Sequence, residues 1–517
     1  MKAAAAALAA CGLLAFAAPT LAVDRTLGSD VPKPAASGEP WTDAQIAALD
    51  ANLDLMIAGA HSLRGAHVGV FAVDARDGRV LYQRNPDDLF QPASTLKLVV
   101  GSAALEKLGP DFKFHTEAVA GGPVVAGTLN GALIVHAGGD PFLGAADFDA
   151  LAQSVAAQGI RVVRDGVRFD VSRYEGASNG GYPPGWGWDD LAYGYGAPVN
   201  ALAFEKNAVH LTVTPGAAVD GPARVRSSPL AVVHTFVEDS CSHGIMPIVV
   251  PAVTTAAATA ADTVDLIGGP FGCTQVVGAI PSGSAPDTLD AAVSFPTVYA
   301  AEALREALAR AGVSMGQFQP QVSPDLYLGT APPAATILWS HDSEPLRDVV
   351  ADIWMPSDNL AAEMLLRELC VAGGTRPGTT AGGIAAETTW LKSFGVDTDL
   401  MALADGSGLS AYDRITPRAL VSVLLRDWAG PLHDTVLDDL PIAGVRGTLR
   451  SSYAGTRLER HVFAKTGTLS RAGELAGYLA SDKHGAVIFA FSVDEWVGDQ
   501  PGLDTVRARV LTHLIED

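Results

Sequence analysis

From Trp41 to Ala60 the apolar residues fall three and four apart, the spacing of one helix face, and Thr42 or Asp43 stands where an N-cap belongs. The period then changes. His67 to Val73 alternates as a strand does, Asp74 to Gly78 is rich in turn formers, and Arg79 to Gln83 predicts a returning strand. Gln91-Pro92-Ala93-Ser94 leads into a helix that runs to about Leu108, where Gly109-Pro110 stops it. Between Phe114 and about Ala292 the apolar runs become short and strand-like, as at Gly131 to Val135, Val209 to Val213 and Ile248 to Val250. Gly and Pro are frequent there, and strong helical patterns are few. Helical spacing resumes at Pro296 to Ala311. Beyond it, Thr336 to Trp339 reads as a strand, and Pro345 to Met355, Leu360 to Cys370, Thr379 to Phe394 and Pro417 to Trp428 read as helices. Phe463 to Lys465, Leu475 to Leu479 and Ala486 to Val493 read as strands, and Arg507 to Ile515 as a closing helix.

Helices alternating with hairpin-like strands at both ends imply a multi-domain α/β protein: one α/β sandwich, interrupted by a large, mostly β insertion. At 517 residues the chain exceeds one ordinary domain. The expected division is a signal peptide at 1–22, a split domain formed by 23–112 and 325–517, and an inserted accessory region at 113–324 that holds two nested domains. The signal reading rests on Lys2 as the charged leader, a nearly unbroken apolar run from Ala3 to Ala18, and small residues at Thr20-Leu21-Ala22 for cleavage before Val23. Leu8-Ala9-Ala10-Cys11 also resembles a lipoprotein cleavage box, but the apolar run before Cys11 is short and continues past it. Export to the periplasm or medium is the expected fate. Val23 to Ser37 is expected to be a flexible mature N-terminus. No second run reaches the length of a membrane span, and Val506 to Asp517 lacks the basic, amphipathic character of an interfacial anchor.

Composition narrows the class. Hydrophobic residues make up 48% and charged residues 18%, enough apolar material for a large core and too little charge for intrinsic disorder. With 57 acidic against 35 basic residues the formal charge is −22, which disfavours nucleic acid or an anionic membrane as partner. Of four cysteines, Cys11 leaves with the signal. Cys241 and Cys273 are candidates for a disulfide in an oxidising compartment, and Cys370, ending an apolar helix, reads as a buried thiol. No spacing suggests a zinc site, and neither metal nor cofactor is expected.

The candidate chemistry lies in three short motifs. In Ser94-Thr95-Leu96-Lys97, serine and lysine share a helix face, so the amine reaches the hydroxyl; the free N–H groups at the helix start favour developing negative charge. Serine is a poor nucleophile without a base, and lysine serves as one only if its pKa is depressed. Ser357-Asp358-Asn359 precedes a helix and offers a hydroxyl for proton relay and an amide for positioning. Lys465-Thr466-Gly467-Thr468 lies on a strand; there Lys465 supplies charge, Thr466 can hold a carboxylate, and Gly467 leaves room for substrate along the strand. Each motif alone also has an ordinary reading: Ser94 or Ser357 as helix caps, Lys97 as a solvated lysine, Lys465-Thr466-Gly467 as a strand entering a turn. Yet only one of the nine lysines, Lys97, lies three residues after a serine, and only Lys465 begins a Lys-Thr-Gly run. The order of the three motifs is that of penicillin-recognising serine enzymes.

On these motifs the chain resembles the class C low-molecular-mass penicillin-binding proteins, D-alanyl-D-alanine carboxypeptidases and endopeptidases. The resemblance spans residues 87–97, 345–370, 403–410 and 443–468. Supporting stretches are Gly138-Gly139-Asp140-Pro141, Pro184 to Trp188, Asp405 to Ser410 and Gly444 to Leu449. It implies a penicillin-recognising, serine transpeptidase-like fold with Ser94 as nucleophile, Lys97 as base, Ser357 as proton donor to the leaving D-alanine, and Asn359 positioning substrate and Lys97. Backbone N–H groups of Ser94 and Thr468 would stabilise the oxyanion, and Thr466 and Thr468, aided by Lys465, would grip the terminal carboxylate. Asp190, following Trp186 and Trp188, would meet a cationic amine on the peptide stem; an ordinary solvated loop aspartate is the equal alternative. Peptidoglycan peptides are the implied substrates and β-lactams the implied covalent inhibitors. A serine β-lactamase, a D-amino-acid amidase or esterase, and a non-catalytic cell-wall binding protein remain open readings, the long insertion weighing against the first.

Overall fold

The computed structural model describes residues 31–176, 180–230, 249–268, 274–316 and 336–516. In chain order its main elements are α1 (Asp43–Ala58), β1 (His67–Asp74), β2 (Val80–Arg84), α2 (Leu96–Leu108), β3 (His115–Ala120), β4 (Leu133–His136), α3 (Ala145–Ala157) and β5 (Val167–Asp170). There follow β6 (Ala208–Thr214), β7 (Arg224–Ser228), β8 (Asp287–Ala292), α4 (Pro296–Arg310), β9 (Ile337–Asp342), α5 (Leu346–Trp354) and α6 (Asn359–Ala372). The chain continues through α7 (Thr380–Ser393), α8 (Pro417–Ala429), β10 (Val462–Leu469), β11 (Ala472–Ser481), β12 (Gly485–Asp494) and α9 (Gln500–Glu516).

The two ends of the chain build one antiparallel sheet in the order β10-β11-β12-β1-β2. Period-two alternation divides its side chains between two cores. From β1, Val68, Val70 and Ala72 face one way, with Val487, Phe489 and Phe491 of β12, and pack under Leu49, Leu53, Leu503, Val510 and Leu514 of α1 and α9. Phe71 and Val73, with Ile488 and Ala490, face the other way onto Leu96, Val99, Val350, Leu365 and Leu424 of the central helices. The sheet is thus covered on both faces, which is why β11 and β12 are almost wholly buried rather than apolar on one side only. Thr42 caps α1 through a reciprocal bond with Gln45.

The segment after α2 forms separate sheets. One has the order β9-β3-β4-β5, and another β7-β6-β8. They share a core with α3 and α4. Helix α3 departs from the expected helix-poor character of this stretch: Phe148, Leu151, Ala152 and Val155 line one buried face. The strand expected near Thr336 is β9, and it pairs with β3 rather than joining the five-stranded sheet. Residues 31–37, expected to be flexible, are docked instead. Val31 packs on the helical core, Lys33 pairs with Asp438 at 2.7 Å, and the Ala35 carbonyl accepts from the Ala486 N–H at 2.7 Å, extending the hydrogen bonding at the start of β12. Cys11, the signal segment 1–22, Cys241 and Cys273 lie outside the described residues. Cys370 is a buried free thiol, as expected. Among the described residues no helix is long and apolar enough to cross a membrane.

Candidate active site

The turn Ala93–Thr95 opens α2 and carries Ser94. Ser94 does not cap the helix, since neither the turn nor α2 has a side-chain cap bond. Its Oγ accepts from Lys97 Nζ at 2.8 Å, one helical turn away. Lys97 also donates to Asn359 Oδ1 at 2.6 Å and to the Ser407 carbonyl at 2.7 Å, so all three donors of an ammonium are used. Lys97 is wholly buried, which rules out a solvated lysine. Burial pulls its pKa down to about 8, against Asp405, Asp358 and Glu363, which pull it up. At pH 7 roughly one amine in ten is therefore the free base. Helix α2 is held in place from below: the buried Trp354 Nε1 donates to the Lys97 carbonyl at 2.7 Å.

Ser357 follows the end of α5 and has a left-handed backbone, φ +69°. It does not cap α6; Asp358 does, its Oδ1 accepting from the Ala361 N–H at 2.9 Å. Ser357 Oγ accepts instead from Lys465 Nζ at 2.9 Å. Lys465 is wholly buried, and burial, with the charge of Lys97 adding, holds its pKa well below the usual lysine value. The two serines are thus each matched to a lysine, and Asn359 accepts from the first of these lysines, Lys97.

On β10, Thr466 Oγ1 donates to Thr448 Oγ1 at 2.8 Å, and Thr468 is exposed. A Cβ on Gly467 would lie 2.7 Å from the Pro92 carbonyl and 3.0 Å from Ala93 Cβ. The glycine therefore lets the strand lie against the turn that carries Ser94, a closer constraint than the expected clearance for substrate.

The Asp405 to Ser410 loop supplies the third acceptor for Lys97. Asp405 accepts from the N–H groups of Gly408 at 2.6 Å and Ser410 at 2.8 Å, and Glu363 from those of Gly406 at 2.8 Å and Ser407 at 2.9 Å. With the loop's N–H groups drawn to these carboxylates, the Ser407 carbonyl is left facing the amine. Sequence reasoning marked this loop and the Gly444 to Leu449 stretch without assigning roles to Ser407 or Thr448. Ser407 contributes its backbone carbonyl, which any residue could supply, and Thr448 a hydroxyl that lies outside the three motifs.

The insertion reaches the same place. Trp186 Nε1 donates to Asp405 at 2.8 Å, Ser410 Oγ to the Pro184 carbonyl at 2.7 Å, and Asn359 Nδ2 to the Tyr195 carbonyl at 3.0 Å. Asp190 accepts from the Tyr195 hydroxyl at 3.0 Å; burial raises its pKa, with that hydrogen bond acting against it. Among the described residues Asp190 makes no hydrogen bond or ion pair with Ser94, Lys97 or Lys465. Among the described residues no group of three or more metal-ligating side chains forms.

Comparison with known proteins extends the agreement from motifs to the whole chain. Residues 49–512 match the model of the D-Ala-D-Ala carboxypeptidase 3 (S13) family. The D-alanyl-D-alanine carboxypeptidase of Actinomadura sp. (strain R39) is 34% identical over 437 residues, covering 81% of this chain and 76% of that protein. The D-alanyl-D-alanine carboxypeptidase DacB of Haemophilus influenzae is 28% identical over 436 residues, covering 82% and 85%. The crystal structure of penicillin binding protein 4 (dacB) from Haemophilus influenzae shares the fold, with a TM-score of 0.74 at 23% identity over 90% of this chain and all of that one. With a serine and a buried lysine paired at the start of α2, and with the family model matching almost end to end, the chain belongs to the D-Ala-D-Ala carboxypeptidase 3 (S13) family.

Proposed function

We propose that this serine carboxypeptidase cleaves D-alanyl-D-alanine bonds of peptidoglycan stem peptides, and the related bonds of cross-links, through an acyl-enzyme on Ser94. The observation that carries the reading is the Lys97 amine, buried, 2.8 Å from Ser94 Oγ and held by Asn359 and Ser407. Lys97 takes the Ser94 proton as Oγ attacks the carbonyl. N–H groups of Ser94 and Thr468 bind the oxyanion, commonly the largest single contribution to such catalysis. Ser357, bonded to Lys465, passes a proton to the departing D-alanine, and water then releases the acyl group. Thr466, Thr468 and Lys465 hold the terminal carboxylate across Gly467, and Asp190 meets a cationic amine of the stem. Residues 23–112 with 325–517 form the catalytic domain and 113–324 the accessory region. In support, every strand of the five-stranded sheet comes from before residue 85 or after residue 461; β9, which pairs with β3 of the accessory region, is the exception in 325–517. The N-terminal signal directs export to the periplasm or medium and is removed by cleavage after Ala22.

A β-lactam presents the same amide with a tethered leaving group. Incubation with one, followed by peptide mapping, is expected to place a covalent adduct on the peptide containing Ser94; an adduct elsewhere, or none, overturns the assignment. Digestion of purified cross-linked muropeptides, with mass analysis, reads the balance of carboxypeptidase and endopeptidase products. Rapid multiple turnover of a chromogenic cephalosporin would instead mark a β-lactamase.

A further inference from the structure

Asp358 lies between Ser357 and Asn359, and its two carboxylate oxygens have different partners. Oδ1 caps α6. Oδ2 is 2.9 Å from Nζ of Lys206, which comes from the insertion. The Asp358 side chain is only 10% exposed. Lys206 sits in an unusual stretch of backbone: Glu205, Lys206 and Asn207 have φ of +49°, +55° and +52°, three consecutive non-glycine residues in the left-handed region. Such a conformation persists only where the surroundings over-determine it. Here they do. The Glu205 N–H donates to the Leu143 carbonyl at 2.9 Å, and its carboxylate accepts from the Ala145 N–H at 2.9 Å. Asn207 Nδ2 donates to the Pro198 carbonyl at 2.9 Å, and the Asn207 carbonyl accepts from the Val293 N–H at 2.9 Å. The Lys206 ammonium also lies 5.1 Å from the centre of the Phe142 ring.

We propose that Lys206 is a positioning residue for the reaction, held by the insertion against Asp358 so that it both orients the Ser357-Asp358-Asn359 turn and neutralises the negative charge nearest Asn359. The inference rests on Lys97 being the base. The charges facing Lys97 are those of Asp405, Asp358, Glu363 and Lys465. Those facing Lys206 are Asp358, Asp352 and Asp290, with Glu205 adjacent. The Lys206 side chain is 42% exposed; partial desolvation pulls its pKa down, but these carboxylates outweigh it and the side chain stays charged. Without Lys206 the Asp358 carboxylate loses its ion-pair partner, the field at Lys97 becomes more negative, and the proton is held on Lys97 more firmly. Lys97 then becomes a free base only at higher pH.

The test is the pH profile of Ser94 acylation by a β-lactam. Lys206→Met is expected to move the acid limb upward by about half a pH unit and to slow acylation at pH 7 by about threefold. Lys206→Arg is expected to restore the profile. Asp358→Asn keeps a good N-cap, so α6 is retained. In that background Lys206→Met is expected to shift the limb much less. An unshifted profile for Lys206→Met overturns the proposal, as does a shift that persists undiminished with Asn at 358 or one that Arg fails to reverse. If the unsubstituted protein gives no Ser94 adduct, the functional reading falls and this inference with it. Normal labelling with an unshifted profile removes this inference alone.

Discussion

Lys97 and Lys465 are both wholly buried, yet each faces a different serine, and this separates their expected behaviour on substitution. A guanidinium does not deprotonate usefully, so Lys97→Arg keeps charge and loses the base. Acylation should fall by about 10²–10⁴-fold, the usual scale for a positioned acid–base group. Lys465→Arg should retain part of the activity at neutral pH, whereas Lys465→Ala should hurt ligands bearing a free carboxylate more than their esters. Acylation rates of both Arg variants, measured with a carboxylate ligand and its ester, decide the matter. Near-normal acylation by Lys97→Arg together with loss in Lys465→Arg would exchange the two roles, a reversal that the Lys465–Ser357 contact makes chemically concrete. The sign of the pH dependence follows from the lowered Lys97 pKa. The reactive form is the neutral amine, so the acylation rate should climb about tenfold per pH unit below roughly pH 8 and level off above it. A flat profile between pH 6 and 9 would be incompatible with Lys97 as the base. Asp190 is the residue whose sequence signal was least specific. Its nearest defined partner is the Tyr195 hydroxyl, and no motif announced that contact.

At the scale of elements, the placement of Lys97 depends on how closely α2 meets α5. A Cβ on Gly101 would come within 2.7 Å of the Trp354 ring, and that tryptophan is the one bonded to the Lys97 carbonyl. Gly101→Ala is therefore expected to push the helices apart and destabilise the fold by about 1–3 kcal/mol, the usual range for overpacking a full core. Urea unfolding measures this, and an unchanged midpoint would show that α5 yields without strain. The helices and the strands of the large sheet were legible because their apolar spacing is local and strong. Helix α3 carries the same spacing in Phe148, Leu151 and Val155, but it is embedded among short Gly- and Pro-rich runs that pull the reading toward strand. The partner of β9 was not legible at all. The short apolar run Ile337-Leu338-Trp339 states that a strand exists, and pairing is chosen by whichever edge the fold brings near.

Across the whole molecule, the insertion bonds to the catalytic loops at Asp405, Ser410, Asn359 and Asp358, so it is part of the site's frame rather than a distant appendage. The proposed disulfide belongs to this scale as well. Peptide mapping without reduction is expected to recover Cys241 and Cys273 in one linked species, and free thiols at both positions would rule the bond out. By itself the sequence determined the family, the three motifs and the pairing of Ser94 with Lys97, because a serine and a lysine three apart on a helix share a face whatever else the chain does. It also determined most helices and strands, which answer to local periodicity. Only the tertiary structure decided that the Ser407 carbonyl joins Asn359 around Lys97, that Gly467 is required by the turn carrying Ser94, and that Lys206 reaches Asp358. Those contacts join residues far apart in the chain, several through backbone atoms, and residue type and spacing carry no record of which backbone groups packing will bring together.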